Sequence, residues 1–278
     1  MPRVFAILAT ALLVQPAATL TTEQLFARIG VPAGDATRLA NGETLIWKIP
    51  GSVPNEIAAA GAIRAKGDLR RLVAWLRDIE AFMKAAGTKD VGLIAEPAVA
   101  PDFSRVDLAG IDISREKLHE YVTAYQQGQL KSNQADFEDL LNRSTKVWDL
   151  ARSFVSYLSS YPAAKPDGTE NRFYWTRDTV GRNPVLTLHH VALQEFPDGR
   201  VLVADKQFYA SRQIDAALMI ALGIPTADKM GFDLIVSVKG RSGAITGVGG
   251  RVLRGRIESE LADALKTYLE WIRASSAL

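Results

Sequence analysis

Two histidines stand side by side in Leu188-His189-His190-Val191. Imidazole titrates near neutral pH, ligates metals and moves protons. Neighbours on a strand point to opposite faces, so this pair cannot close on one metal ion. Counting back from the turn Pro197-Asp198-Gly199, with one bulged residue, puts His190 opposite Lys206 and His189 opposite Gln207. The rest of the His190 face reads Leu186, Leu188, Ala192, Leu202, Ala204, Phe208 and Ala210, all apolar. A His and a Lys on such a face form the polar end of a ligand pocket, or else the solvated edge of a sheet.

A second group is cationic. Lys239-Gly240-Arg241-Ser242-Gly243 runs through Gly247-Val248-Gly249-Gly250 to Arg251, Arg254 and Arg256. A glycine-rich loop opening a helix offers backbone N–H groups to an anion. Arginines in the first turns of a helix oppose its dipole by about 0.3–1 kcal/mol each. An anion bound by Arg241, Arg251 and Arg254 would relieve that conflict; simple solvent exposure of the arginines would also do so. The loop has neither the Lys-Ser/Thr of a nucleotide P-loop nor the dinucleotide spacing. Third, Phe173-Tyr174-Trp175 between Arg172 and Arg177 reads as an aromatic gate or as core packing. Asp205, Lys206, Tyr209 and Arg212 are close in sequence, but alternation parts Asp205 from Lys206. No Ser-His-Asp order and no G-x-S-x-G elbow occurs.

Composition narrows the field. The 278 residues are 47% hydrophobic and 23% charged, an ordinary globular balance. With 33 Lys+Arg against 31 Asp+Glu there is no basic excess for a nucleic-acid backbone. The absence of cysteine removes disulfides, thiolate metal sites and a cysteine nucleophile. No cofactor and no metal is expected.

The elements that position these groups follow from periodicity. Residues 1–18 read as a signal peptide: Arg3, an apolar run over 4–14, then Pro16 and small residues for cleavage. Export to the periplasm or outside the cell is therefore expected. No later apolar run is long enough to span a bilayer. The mature chain, 19–278, reads as one domain, with 162–169 the place where two halves would part. Strands are expected over 44–49, 56–66, 91–95, 185–196, 200–210 and 232–239. Helices are expected over 21–30, 68–87, from Ser114, over 135–161 and at the C-terminus. Because strands come in runs, the fold class is α+β: a curved antiparallel sheet on long helices, with a C-terminal helix over it.

Four stretches, Arg172-Phe173-Tyr174-Trp175, residues 185–191, Ala204-Asp205-Lys206-Gln207-Phe208-Tyr209-Ala210-Ser211 and Gly249-Gly250-Arg251-Val252-Leu253-Arg254-Gly255, resemble an uncharacterised family of exported bacterial proteins. The order of elements is similar to the helix-grip (START/SRPBCC) superfamily. That resemblance implies a curved sheet wrapping its last helix around an apolar cavity for lipids or other hydrophobic molecules. The expected function is therefore an exported soluble protein that binds or carries a hydrophobic or lipid-like small molecule. His190, Lys206, Phe208, Tyr174 and Trp175 would meet its body, and Arg241, Arg251 and Arg254 an anionic part. Two alternatives stay open: an envelope-assembly protein acting through its surface, and an enzyme whose site comes from distant residues. Oligomeric state is not legible.

Overall fold

The structure is a computed structural model that describes residues 24, 26–27, 32–49, 51, 53–130, 152–180, 183–212 and 214–276. The signal segment, most of the helix expected over 21–30, and 135–151 of the long central helix lie outside them.

Helix α1 (Ala33–Ala40) turns at Asn41-Gly42, where Gly42 takes φ +86°, into the hairpin of β1 (Leu45–Ile49) and β2 (Glu56–Lys66). Where one helix is expected over 68–87, there are two, α2 (Leu69–Arg77) and α3 (Ile79–Ala85). Asp68 caps the first by accepting from the Arg70 N–H, and Asp78 caps the second by accepting from Ala81. A short carboxylate beside free N–H groups competes with helix continuation, and that breaks the run at Asp78.

Strand β3 (Asp90–Ile94) follows. Then come α4 (Arg115–Gln126), capped by Ser114, and α5 (Arg152–Ser160). Five long strands complete the sheet: β4 (Thr169–Val180), β5 (Asn183–Glu195), β6 (Val201–Ala210), β7 (Ala216–Pro225) and β8 (Gly231–Arg241). The 30-residue α6 (Gly247–Ser276) ends the chain. Strand β7, AALMIALGIP, has no polar alternation because both of its faces are covered; for that reason periodicity does not reveal it.

All eight strands form one antiparallel sheet in the order β1-β2-β8-β7-β6-β5-β4-β3, and the sheet is curved. The long C-terminal helix packs against this sheet, as the element order predicts. One face, here called inner, packs against α2, α3 and α6 through Leu69, Leu72, Phe82, Leu265, Leu269 and Ile272. The outer face packs against α4, α5 and the 95–114 connection through Phe103, Leu118, Val122, Tyr125, Phe154 and Leu158.

Small residues set how close the helices come. A Cβ on Gly61 of β2 would lie 2.7 Å from Leu269 Cδ1 of α6, and one on Gly223 of β7 2.7 Å from Leu69 Cδ1 of α2. Only glycine lets the helices seat at that depth. Across their seam the indoles of Trp75 and Trp271 stack at 5.8 Å, with Phe82 edge-on to Trp271 at 5.3 Å. Among the described residues, no helix is long and apolar enough to cross a membrane.

Candidate functional site

Residues that the sequence singles out divide between the two faces. On the outer face the expected register holds: His190 pairs with Lys206 and His189 with Gln207, with the bulge at Leu188/His189. His190, Lys206, Phe208 and Trp175 are all buried there. They form part of an aromatic box with Tyr125, Tyr161 and Phe173. Tyr125 stacks on Phe208 at 3.9 Å, and His190 on Phe173 at 4.5 Å.

The polar atoms of the box are bonded to one another. Asn171 Oδ1 accepts from the Tyr157 hydroxyl at 3.0 Å, so His190 Nε2, 3.1 Å away, donates to it as well. That tautomer leaves Nδ1 to accept from the Tyr125 hydroxyl at 3.0 Å. Lys206 Nζ donates to the Leu158 carbonyl at 3.1 Å and lies 5.3 Å from the centroid of the Tyr125 ring. Trp175 donates its indole N–H to the Asp102 carbonyl at 3.1 Å.

Burial, then the nearby Lys206 and Lys165 charges, hold the His190 pKa well below its usual 6.5. Imidazole is therefore neutral in the folded chain, while the unfolded chain takes up a proton near pH 6.5. The sign follows: His190 leaves stability unchanged above that pH and reduces it as pH falls further. Going to about pH 5.5 is expected to cost about 1.4 kcal/mol from this group alone. Urea unfolding at pH 7.5 and 5.5 checks this, with His190→Gln losing about 1 kcal/mol less than the parent between the two.

Arg241 and Arg254 lie where β2, β8 and α6 meet, and both are engaged. Arg241 Nη2 is 3.4 Å from Glu56 Oε2. Arg254 pairs with Glu258 at 2.8 Å and donates to the Pro54 and Glu56 carbonyls at 3.2 and 3.0 Å. Arg251 belongs to α6, and its side chain lies outside the described residues.

Among the strand residues expected at the site, Tyr174 is the one that faces inward, and a second constellation gathers around it. Its hydroxyl donates to Asp205 Oδ2 at 2.5 Å. The other carboxylate oxygen is 2.9 Å from His189 Nδ1, and His189 Nε2 is 2.9 Å from Thr187 Oγ1. Thr187 is 2.7 Å from Thr176, which donates to Asp178 at 3.2 Å. The Tyr174 and His189 rings stack at 4.5 Å. Both His189 and Asp205 are partly exposed, their side chains 16% and 14% accessible. Gln207, opposite His189, is 4% exposed, and its Nε2 has no hydrogen-bond partner among the described residues.

On the same side of the sheet, an apolar cavity lies between the sheet, α2 and α6. The cavity is lined by Leu72, Val203, Met219, Ala221, Tyr268 and Ile272, among others, with a volume of 20 Å³. Asp205 is two residues beyond Val203 on the same face of β6 and pairs with Met219. Burial and the Asp205 charge both raise the phenol pKa of Tyr268, so it stays protonated. The same causes hold Tyr174 protonated. Concave, mostly apolar walls are the usual make-up of a small-molecule site.

Alternation already places His189 and Gln207 together, and Asp205 one step along β6. Tyr268 carries no such signal, because only the packing of α6 brings it there. Among the described residues, no three His, Asp or Glu side chains meet as they would around a metal.

No protein-family model and no curated protein matches the chain. Among solved structures it is similar to the STAR-related lipid transfer protein (fragment 25–204) of Xanthomonas axonopodis: 10% identity, TM-score 0.47, covering 84% of this chain and 94% of that one. Human STARD10 is similar at 9% identity and TM-score 0.41, covering 82% and 68%. The di-domain ARO/CYC StfQ of the steffimycin biosynthetic pathway aligns at 10% identity and TM-score 0.27, covering 78% and 68%.

Proposed function

We propose that this protein binds an apolar small molecule between the inner face of its sheet and helices α2 and α6. One observation carries the reading: a largely apolar cavity lies between the inner face of the sheet, α2 and α6, walled by Leu72, Val203, Met219, Ala221 and Ile272. A cavity must hold roughly 10–15 Å³ to admit a single water, so 20 Å³ takes about one, and a longer body needs the helices to part. Their seam is made for that. Side-chain packing, led by the Trp75–Trp271 stack, closes it, and such contacts yield without leaving a polar group stranded.

Binding of N-phenyl-1-naphthylamine, an uncharged fluorophore, tests the reading. Saturable binding is expected for the parent chain. Ala221→Phe, which fills the cavity from the sheet side, is expected to weaken it at least about tenfold while the fold is kept. No saturable binding, or equal binding by the variant, would overturn the proposal.

We also propose that the protein works outside the cytoplasm, supported by Arg3, the apolar run at 4–14 and Pro16. N-terminal sequencing of the protein from its native host is expected to begin near residue 19; an intact Met1 would refute export.

A further inference from the structure

We infer that the cavity takes an uncharged molecule bearing an oxygen acceptor, a ketone or ester on an apolar body, and that the Tyr268 hydroxyl recognises that oxygen. This rests on the cavity being the binding site and adds the chemical class of its occupant.

Hydrogen-bond capacity is the first ground. Tyr268 of α6 is itself part of the cavity wall, one turn before Ile272, and the side chains that line the cavity with it are aliphatic or Met219. Its phenol is thus the one strong hydrogen-bonding group that the described lining presents. No hydrogen bond joins the hydroxyl to another described residue. Burial and the charge of Asp205 keep it protonated, so it is a donor. Phe82, edge-on at 6.2 Å, and Trp271, at 6.0 Å, pack against the ring and hold its direction. A donor fixed in an apolar wall costs free energy until an acceptor arrives. The 20 Å³ of the cavity admit about one water, and a ligand oxygen takes over that water's hydrogen bond where hydrocarbon cannot.

Charge is the second ground. None of the side chains lining the cavity is ionic. A carboxylate or ammonium brought between such walls loses its water and gains no counter-ion. The Asp205 charge that acts on the Tyr268 hydroxyl adds repulsion toward an anion beside it. An alcohol carries a proton for which the lining has no further strong acceptor. A carbonyl needs one donor and nothing else, which is what Tyr268 supplies.

The full-length mature chain decides this by displacement of N-phenyl-1-naphthylamine with octan-2-one, octane and octanoate at about pH 8, where the acid is ionised. The readout is the ratio of two competitors on one protein, which cancels the affinity of the fluorophore. Tyr268→Phe keeps the ring and removes the hydroxyl. It is expected to weaken octan-2-one relative to octane about fivefold. A packing role alone would leave that ratio unmoved, and such a result with a folded variant would overturn the inference while the cavity stands. Octanoate is expected to need at least about tenfold more than octan-2-one, and equal displacement by the two would overturn the inference as well. If the variant fails to fold, the parent decides. Octan-2-one is then expected to bind more tightly, relative to octane, than transfer of the two from water to a hydrocarbon solvent predicts; agreement with transfer would overturn the inference. Failure of the fluorophore to bind the parent would overturn both the cavity reading and this one.

Discussion

Replacing Glu56 by Gln is expected to cost about 3–5 kcal/mol of folding stability, the penalty for removing one partner from a buried ionic group. Glu56 is 0% exposed, with Lys239 at 1% and Arg241 at 4%. Its Oε1 is 3.5 Å from Lys239 Nζ and its Oε2 3.4 Å from Arg241 Nη2. Strand pairing makes the cluster obligatory: Glu56 is opposite Arg241 and Ala58 opposite Lys239 across β2 and β8. Burial already disfavours the charged form of Lys239, and Glu56 opposes that shift. Without the carboxylate, two buried cations lose the anion they share. The loss would extend to the grip, because Arg254, near the start of α6, donates to the Glu56 carbonyl. Urea unfolding measures the cost. A loss under about 1 kcal/mol would mean that water or other groups already stabilise the cations. Adding Lys239→Met to the variant is expected to return part of the stability, since an apolar side chain leaves no charge to desolvate.

Tyr125→Ala is expected to remove about 3–5 kcal/mol, the range for emptying a buried aromatic site. Tyr125 holds α4 to the outer face through its stacks with Phe208 and Tyr161, at 3.9 and 5.3 Å. It also donates to His190 and lies beside the Lys206 ammonium. Tyr125→Phe separates these contributions. It keeps the ring and loses one hydrogen bond, leaving His190 Nδ1 without its donor, for about 1–3 kcal/mol. Equal losses in the two variants would assign the box to its hydrogen bonds instead of its packing. The box is part of the framework of the fold, on the face away from the cavity, so neither variant is expected to change fluorophore affinity per folded molecule.

How far the sequence reaches can be judged from particular residues. His190 and Lys206 are conspicuous because they interrupt an apolar face, and register alone sets them opposite each other; the structure places them so. Their company is not legible. Tyr125, Tyr157 and Tyr161 arrive from α4, α5 and the turn after it, and no spacing within β5 or β6 announces them. On the inner face, His189 and Gln207 come together by parity, whereas Tyr174 pairs with His189 only through the β4–β5 register and Tyr268 arrives only with α6. Strand β7 hides for a related reason. Periodicity detects a strand by the contrast between a wet and a dry side, and β7 has no wet side.

Local rules, then, determined the strands with one dry face, the caps at Asp68 and Ser114, the α+β class and the exclusion of cysteine and nucleotide-loop chemistry. Those properties depend on neighbours a few residues apart, which the chain itself keeps close. Only the folded structure decided which face receives the last helix, that the cavity beside it is small, and that Asp205 rather than Lys206 lies on the cavity's side of the sheet. Side chains far apart in sequence meet there through sheet order and helix packing, and such meetings leave no period to read.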